Sequence, residues 1–383
     1  MRAYVLTDRS LSRHAGQFVW LAINGEKATN AAFLRKYRIP GYPTYFIVDG
    51  IHERALTQWV GGATVAQLHT LFDEQSAAWS RRMSGTAFAN RADAELARAD
   101  SLYGASEYGA AAAAYGAALA AAPATWPQRA RAVDARLFAL SEADSAEACV
   151  ELALAQLPSE RHTSWSANIA GNGLGCALQL PRDDLRRAKW IRDLESAAHS
   201  ILADTTIMLS GDDRSGLYIS LLDARDDADD SLGHLAVAQQ WSAFLDGEAA
   251  KAKTPTARMV YDPHRLSAYI EIGHPERAIP MLEQSERDFP DDYNPPARLA
   301  IAYREMKEWD KGLEASDRAM ALAYGPRKLT FYQTRADLYA GKGDLSGARK
   351  TLEDAIAFAE ALPDGQRSPR TIASLQKRLD GLK

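Results

Sequence analysis

The stretch Ile39-Pro-Gly-Tyr-Pro-Thr44 limits the possible fold more than any other part of this chain. Two prolines with a glycine between them cannot continue a helix. Residues 27–37 before it have a helical pattern, and residues 44–48 after it are β-branched and aromatic. An Asp49-Gly50 turn follows. The sequence therefore predicts a helix, a tight turn and a buried strand, in that order.

The peptide bond before Pro43 can be cis or trans. A cis bond occurs in only about one in twenty X-Pro bonds, so the dipeptide alone favours an ordinary trans proline at the start of a strand. The neighbouring elements bear on this choice. They are an apolar stretch at 18–24, a helix at 27–37, strands at 44–48 and 54–60, a Gly61-Gly62 pair and a helix at 65–72.

This order over residues 17–75 resembles the second half of a thioredoxin-like domain. In that family a cis-proline loop lies beside a Cys-x-x-Cys pair and aligns an extended substrate or thiol partner. The resemblance implies that Pro43 is the cis proline. It also implies that Tyr42, Pro43 and Thr44 contact a protein or peptide partner.

The first half of such a domain, with its Cys-x-x-Cys, is absent from the sequence before Phe18, and residues 1–17 contain no cysteine. Residues 1–8 are interpreted as the tail of the helix that follows that motif, and an in-frame upstream extension carrying the motif is expected. We also expect residues 18–23 to pair directly with 44–48, in a three-stranded antiparallel sheet completed by 54–60. With no reactive thiolate, the chain as given is predicted to be redox-inactive, without catalytic residues.

After residue 75 the pattern becomes almost continuously helical. A polar hinge is predicted at 76–86, followed by repeats at 87–160, where Pro123 and Pro158 end helical segments 35 residues apart. Small residues recur beside larger ones at helical spacing, as packing between crossing helices requires. The pattern resembles tetratricopeptide repeats, whose period is roughly 34 residues.

The repeat is clearest at 258–383. Tyr269, Tyr303 and Tyr339 are 34 and 36 residues apart, and each is followed by small residues at matching positions. Tyr303 and Tyr339 are expected to be mostly buried, so that truncation of either to alanine costs about 3–5 kcal/mol. The fold class predicted is mainly α, with a small α/β thioredoxin-like N-terminal domain (1–75) followed by an α-solenoid of tetratricopeptide-like hairpins.

Residues 161–257 predict irregular helical hairpins, with helices at 165–180, 185–202, 217–224 and 232–245. This segment contains an acidic cluster, which consists of Asp223, Asp226, Asp227, Asp229 and Asp230. The cluster lacks the alternating ligands and central glycine of a calcium loop, so a solvated turn with helix-capping aspartates is favoured. The eight histidines show no metal-ligand spacing, and no metal or cofactor is predicted. Cys149 and Cys176 lie in Ala- and Leu-rich helical segments, which favours small buried apolar residues over a redox pair.

Composition limits the possible partners. The net charge is -5, so there is no general basic field for nucleic acid. No apolar run approaches the roughly eighteen residues of a membrane helix. The lysine and asparagine clamp by which some tetratricopeptide modules hold chaperone C-termini is absent, since the matching positions include Ala297, Gln333 and Asp337.

Two functions remain open. The first is a protein- or peptide-binding protein without catalysis. The alternative is a thiol-disulfide oxidoreductase whose Cys-x-x-Cys lies upstream and whose repeats recruit substrate. The sequence alone indicates a cytoplasmic protein, whereas the family resemblance makes a periplasmic or secreted location the alternative. The sequence does not indicate an oligomeric state.

Overall fold

The computed structural model describes residues 4–88 and 90–382. It is mainly helical, with tetratricopeptide-like hairpins and one small antiparallel sheet near the N-terminus. The elements are α1 (Ala31–Lys36), β1 (Thr44–Asp49), β2 (Arg54–Val60), α2 (Val65–Ser84), α3 (Arg91–Gly104), α4 (Tyr108–Ala121), α5 (Arg129–Glu142), α6 (Ala146–Glu160), α7 (Ser166–Gln179), α8 (Arg187–Ala203), α9 (Gly211–Asp227), α10 (Ser231–Lys251), α11 (Pro255–Met259), α12 (Asp262–Glu271), α13 (Ala278–Asp288), α14 (Asn294–Glu305), α15 (Trp309–Leu322), α16 (Lys328–Gly341), α17 (Leu345–Ala361) and α18 (Pro369–Gly381). Short 3-10 helices lie at Arg9–His14, Ala28–Asn30 and Pro275–Arg277.

The chain forms two compact units. The first takes in the chain up to Val19 and Arg38–Val237, and it contains the sheet, α2 and the hairpins from α3 to α9. The second takes in Trp20–Tyr37 and the chain from Ala238 onward, and it contains α1 and the hairpins from α12 to α17, followed by α18. The short segment 20–37 therefore packs with the C-terminal repeats.

The hairpins share one turn geometry. At six turns between successive helices in the described residues, a residue with positive φ is followed by a residue whose N–H bonds to the carbonyl five positions back. This is the bond that closes a helix end in a Schellman motif. The positive-φ residues are Ser106, Asp144, Asp229, Gly273, Lys307 and Gly343, and the N–H donors are Glu107, Ser145, Asp230, His274, Glu308 and Asp344, at 2.8–2.9 Å.

The repeat markers predicted from the sequence lie at these turns. The carbonyls of Tyr269, Tyr303 and Tyr339 are the acceptors of the closing bonds in the three C-terminal hairpins. The Tyr269 side chain is buried at 2% exposure, whereas Tyr303 and Tyr339 are only partly buried. The spacing of the tyrosines therefore reports the spacing of the turns, which confirms the repeat pattern.

Small residues allow the paired helices to approach closely, as the pattern predicts. A Cβ added at Gly312 in α15 would lie 2.4 Å from Leu338 Cδ2 in α16. Ala278 and Ala348, at the matching positions of the adjacent hairpins, are fully buried. Ala278 belongs to an apolar cluster that also includes Leu282, Leu299 and Leu338.

Within residues 161–257, α7 pairs with α8, and α9 is followed by α10. Its aspartates act as caps and ion-pair partners. Asp230 accepts a bond from the Gly233 N–H at the start of α10 (2.9 Å), and Asp227 accepts two bonds from Arg187 at 2.8 and 2.9 Å. Asp230 therefore caps a helix, as the capping interpretation expects, whereas Asp227 is an ion-pair partner.

The sheet consists of β1 and β2 alone among the described residues, paired antiparallel from Thr44↔Val60 to Asp49↔Arg54, with an irregularity between Ile47 and Val48. The prediction that residues 18–23 complete a three-stranded sheet is wrong. Residues 19–24 have no regular secondary structure. The reason is that Trp20–Tyr37 packs with the second unit and β1 with the first. The strands of the described residues form this two-stranded sheet, which does not make up a complete thioredoxin-like domain.

Two further expectations for the N-terminal region need correction. Residues 4–7 form turns followed by a 3-10 helix, rather than the tail of an α-helix, and residues 1–3 lie outside the described part. The segment 76–86 is not a hinge over most of its length, because α2 continues to Ser84 and ends at Gly85, where φ is +66°. A capping box between Thr64 and Gln67 begins this helix, as its sequence favours.

Candidate functional site

The loop predicted to contact a partner begins β1. The Tyr42–Pro43 peptide bond is cis, as predicted. The Pro43 carbonyl accepts a bond from the Gly61 N–H (2.8 Å), and Thr44 Oγ1 donates to the Gly41 carbonyl (2.6 Å). Tyr42 is 69% exposed. The loop backbone is therefore fixed on both sides, while an aromatic ring projects toward solvent.

The two strands of the hairpin differ in their surroundings. In β2 the residues from Ala55 to Trp59 are buried, and the strand packs against α3. Gln58 Nε2 donates to the Tyr103 carbonyl at 2.9 Å, and a Cβ on Gly104 would lie 2.9 Å from Ala55 Cβ. By contrast, β1 is only partly buried from Thr44 to Val48. Thus β2 anchors the hairpin, and β1 is the more accessible strand.

A buried carboxylate fixes the far end of the hairpin. Asp49 accepts bonds from the backbone N–H groups of Ile51 (2.9 Å) and His52 (3.2 Å), and its other oxygen lies 2.8 Å from His52 Nδ1. Burial by itself would raise the pKa of Asp49, but these bonds outweigh it and hold the pKa at about 2. Because the pKa is depressed, this stabilisation is present above about pH 4 and is lost as the pH falls toward 2.

A charged cavity of about 100 Å³ lies among α2, α3 and α5. The buried Arg131 guanidinium bonds both oxygens of Asp100 (2.9 and 3.0 Å) and also Glu74 (2.6 Å). Tyr115 and Gln75 donate to the same Asp100 carboxylate at 2.7 and 2.9 Å. Burial raises the pKa of Glu74. These charged groups are paired with one another, so the cluster joins four helices, α2, α3, α4 and α5, and its carboxylates are engaged in ion pairs and hydrogen bonds.

A hydroxyl and two imidazoles form a chain at the start of α2. Ser10 Oγ lies 2.9 Å from His69 Nε2, and His69 Nδ1 lies 2.9 Å from His14 Nε2. However, the Ser10 hydroxyl donates to Asp8 Oδ1 at 2.6 Å, so His69 must donate to Ser10. Burial, Arg13 and His14 lower the pKa of His69. In this arrangement His69 does not act as a base toward Ser10. The sequence did not indicate this chain, because its members are 4 to 59 residues apart.

The two cysteines are not the independent buried residues that the sequence favoured. Cys149 in α6 and Cys176 in α7 form a disulfide, with an S–S distance of 2.11 Å. Both are essentially fully buried. The pairing was missed because it depends on how two helices pack, and a separation of 27 residues carries no local signal. Neither sulfur is a free thiol.

Other predicted positions can be placed directly. Asp337, on the first helix of its hairpin, pairs with Arg304 (3.2 Å) and with Arg378.

Within residues 4–88 and 90–382, no group of three His, Cys, Asp or Glu side chains could hold a metal ion. In the same part of the chain, no helix combines the length and apolar character needed to cross a membrane.

Comparisons with known proteins give similarity of structure only. No protein-family model matches the chain, and no curated protein matches its sequence. A tetratricopeptide repeat protein from Parabacteroides merdae ATCC 43184 is similar, with 10% identity, 76% of this chain and 98% of that chain covered, and a TM-score of 0.46. The TPR2AB domain of yeast Sti1, in complex with an HSP90 peptide, shows 14% identity, the same coverages and a TM-score of 0.28. The Cut9–Hcn1 hetero-tetramer of the APC/C shows 16% identity, coverages of 76% and 56%, and a TM-score of 0.26.

Proposed function

We propose that this chain binds proteins or peptides and is not a catalyst in the form given. The observation that carries the proposal is the exposed Tyr42 at the start of β1, on a hairpin whose other strand is anchored in the first unit. A fixed strand with an exposed aromatic residue suits an extended peptide, which gains main-chain hydrogen bonds from the strand and affinity from the ring.

The chemistry of the described residues supports binding over catalysis. The Ser10 hydroxyl is bonded to Asp8, and the buried Arg131 cluster is internally paired. Both cysteine sulfurs are joined to each other. These are the groups that most resemble catalytic machinery, and each is already engaged in a way that opposes nucleophilic chemistry.

Peptide selection tests the proposal. A phage-displayed library of random peptides is panned against the full chain, and the affinity of an enriched synthetic peptide is measured by calorimetry. We expect Tyr42→Ala to weaken binding by at least about tenfold, as loss of an aromatic anchor does. Ile51→Ala is the matched control, because Ile51 is 62% exposed at the opposite end of the same hairpin. Failure to enrich any peptide, or equal effects of the two substitutions, would contradict the proposal.

The second candidate is the thiol-disulfide oxidoreductase implied by the resemblance of residues 17–75 to a thioredoxin-like domain. That function requires a Cys-x-x-Cys pair beside the loop. The chain's own cysteines are in α6 and α7 and form a buried disulfide. In an insulin-reduction assay with the full chain, the proposal of binding without catalysis therefore expects no turnover above the reductant alone, and measurable turnover would favour the second candidate.

A further inference from the structure

Residues 24–36 form a compact turn and short helix within the second unit. Asn24 Oδ1 accepts a bond from the Glu26 N–H (2.9 Å), and Asn30 Nδ2 donates to the Asn24 carbonyl (2.8 Å). The 3-10 helix Ala28–Asn30 and α1 follow directly. These bonds close the Asn-Gly-Glu turn on itself, as an Asx turn does. Its shape is therefore determined within the segment.

The C-terminal repeats hold this turn through three polar contacts. The Arg327 N–H donates to the Glu26 carboxylate (2.6 Å), and Gln366 Nε2 donates to the Gly25 carbonyl (2.7 Å). Asn24 Nδ2 donates to the Tyr324 hydroxyl (3.1 Å). Gly25 and Gln366 are both buried. The contacts come from two successive loops, α15–α16 and α17–α18, so two repeats contribute to one recognition surface.

Two glycines give this surface its shape. A Cβ at Gly325 would lie 2.1 Å from the Glu26 carbonyl oxygen. A Cβ at Gly365 would lie 1.9 Å from the Ala31 carbonyl oxygen and 3.0 Å from the Arg35 nitrogen. Neither contact allows room for a side chain. Each loop thus presents bare backbone to the backbone of the segment, as in a fitted peptide site.

The contacts that hold residues 24–36 differ in kind from the contacts that join the repeats to one another. The segment contacts the two loops through hydrogen bonds and close backbone approaches, and its Ala31 and Tyr37 are buried. The repeats are joined by apolar clusters that include Leu282, Leu299 and Leu352. On its N-terminal side the segment is joined by residues 19–24, which have no regular structure and expose Val19 and Leu21. Burial raises the pKa of Glu26, so docking carries a desolvation cost. These features suit a contact that can be exchanged.

We propose that the α15–α16 and α17–α18 loops form a peptide-binding site for an Asn-Gly-Glu turn, and that residues 24–36 are its intramolecular occupant. A partner protein carrying such a turn binds by displacing this segment. The inference rests on the proposed function in treating the chain as a peptide binder. It adds a second site, its ligand chemistry and a competing internal ligand.

The test uses a fluorescein-labelled synthetic peptide of residues 20–37 and the full chain. In the parent the site is already filled, so we expect weak binding. Asn24→Ala with Glu26→Ala weakens the internal contacts, and this double variant should bind the peptide at least about tenfold more tightly. The reason is that the apparent affinity equals the intrinsic affinity multiplied by the fraction of sites that the internal ligand leaves free. Equal binding to both proteins, or binding to neither, would overturn the proposal.

Two substitutions added to the double variant locate the site. Gly365→Ala places a methyl group against Ala31 and should reduce peptide binding by at least about tenfold. Gln366→Ala removes the hydrogen-bond donor to Gly25 without adding bulk, and it should also weaken peptide binding. If only Gly365→Ala weakened binding, the added methyl group would have disturbed folding. Gly247→Ala in α10 is the control, because a Cβ there meets no atom within 4 Å. Peptide binding that is insensitive to both changes would place the site elsewhere.

Light scattering identifies the occupant. A monomeric parent is expected. A dimer that the peptide dissociates would show that the segment of a second copy fills the site and would overturn the intramolecular assignment. Loss of this site would leave the Tyr42→Ala comparison unaffected, so the two proposals fail separately.

Discussion

The C-terminal hairpins and the N-terminal hairpin are stabilised over very different distances along the chain. Each C-terminal turn is closed by a bond between residues five positions apart, such as His274 and Tyr269. The β1–β2 hairpin and α2 are held by distant residues: Gln58 bonds Tyr103, Glu74 bonds Arg131, and Trp59 packs on Trp165 with ring centroids 5.4 Å apart. The hairpins of α12–α17 therefore depend on local sequence, whereas the N-terminal hairpin depends on the first-unit helices on which it packs.

The largest expected effect comes from breaking the long-range contacts. Arg131→Met leaves Asp100 and Glu74 buried without their cation, and we expect a loss of about 3–5 kcal/mol in the free energy of unfolding of the first unit. Urea titration followed by circular dichroism measures it. Arg98→Met is the control on α3, because Arg98 pairs with Glu95 in solvent and should cost no more than about 1 kcal/mol. Similar effects of the two changes would show that the cluster does not join the helices.

Substitution of the marker tyrosines Tyr269, Tyr303 and Tyr339 tests the stability of the C-terminal hairpins. Tyr269→Ala should cost about 3–5 kcal/mol, since the ring is buried in the core of its hairpin. Tyr303→Ala and Tyr339→Ala should cost about half as much, because both side chains are partly exposed. For Tyr303 and Tyr339 this cost is smaller than the 3–5 kcal/mol expected from the sequence, which assumed that both side chains are mostly buried. Thermal melts measure the order, and no change for any of the three would show that the repeat register is wrong.

Such local bonds explain why the repeats could be predicted from the sequence. The tyrosines at 269, 303 and 339 and the glycines at 273 and 343 reflect turn geometry that each hairpin repeats for itself. The strands now seen at 44–49 and 54–60 were predicted at 44–48 and 54–60 from neighbouring residues, whereas the cis bond at Pro43 was predicted from the thioredoxin resemblance.

Pairing between distant segments could not be predicted in the same way. Residues 18–23 are apolar enough for a strand, but the adjoining segment from Trp20 packs with the C-terminal repeats instead of beside β1. The Cys149–Cys176 disulfide and the Ser10–His69–His14 chain likewise depend on which helices and loops meet. For the proposed sites, the role of Tyr42, Pro43 and Thr44 stays a prediction from the sequence, and the sequence did not suggest the loops that hold Asn24 and Glu26.

The smallest expected effect concerns the turns themselves. Lys307 has a φ of +59°, a conformation that glycine adopts at lower cost, so Lys307→Gly should stabilise the protein by up to about 1 kcal/mol. The reverse change at the equivalent turn, Gly343→Ala at φ +87°, should destabilise it by about 1 kcal/mol. Thermal melts of the pair give the two signs. Shifts of the same sign would contradict a shared turn geometry.

Hydrogen exchange of the intact chain tests the central claim most directly, namely that the N-terminal sheet consists of the β1–β2 hairpin and that residues 19–24 do not join it. We expect the bonded amides of β1 and β2 to be protected, and those of Leu21, Ala22 and Ile23 to exchange at rates near those of unstructured peptides. Protection of these three amides comparable to that of β1 would contradict the account and would indicate the third strand.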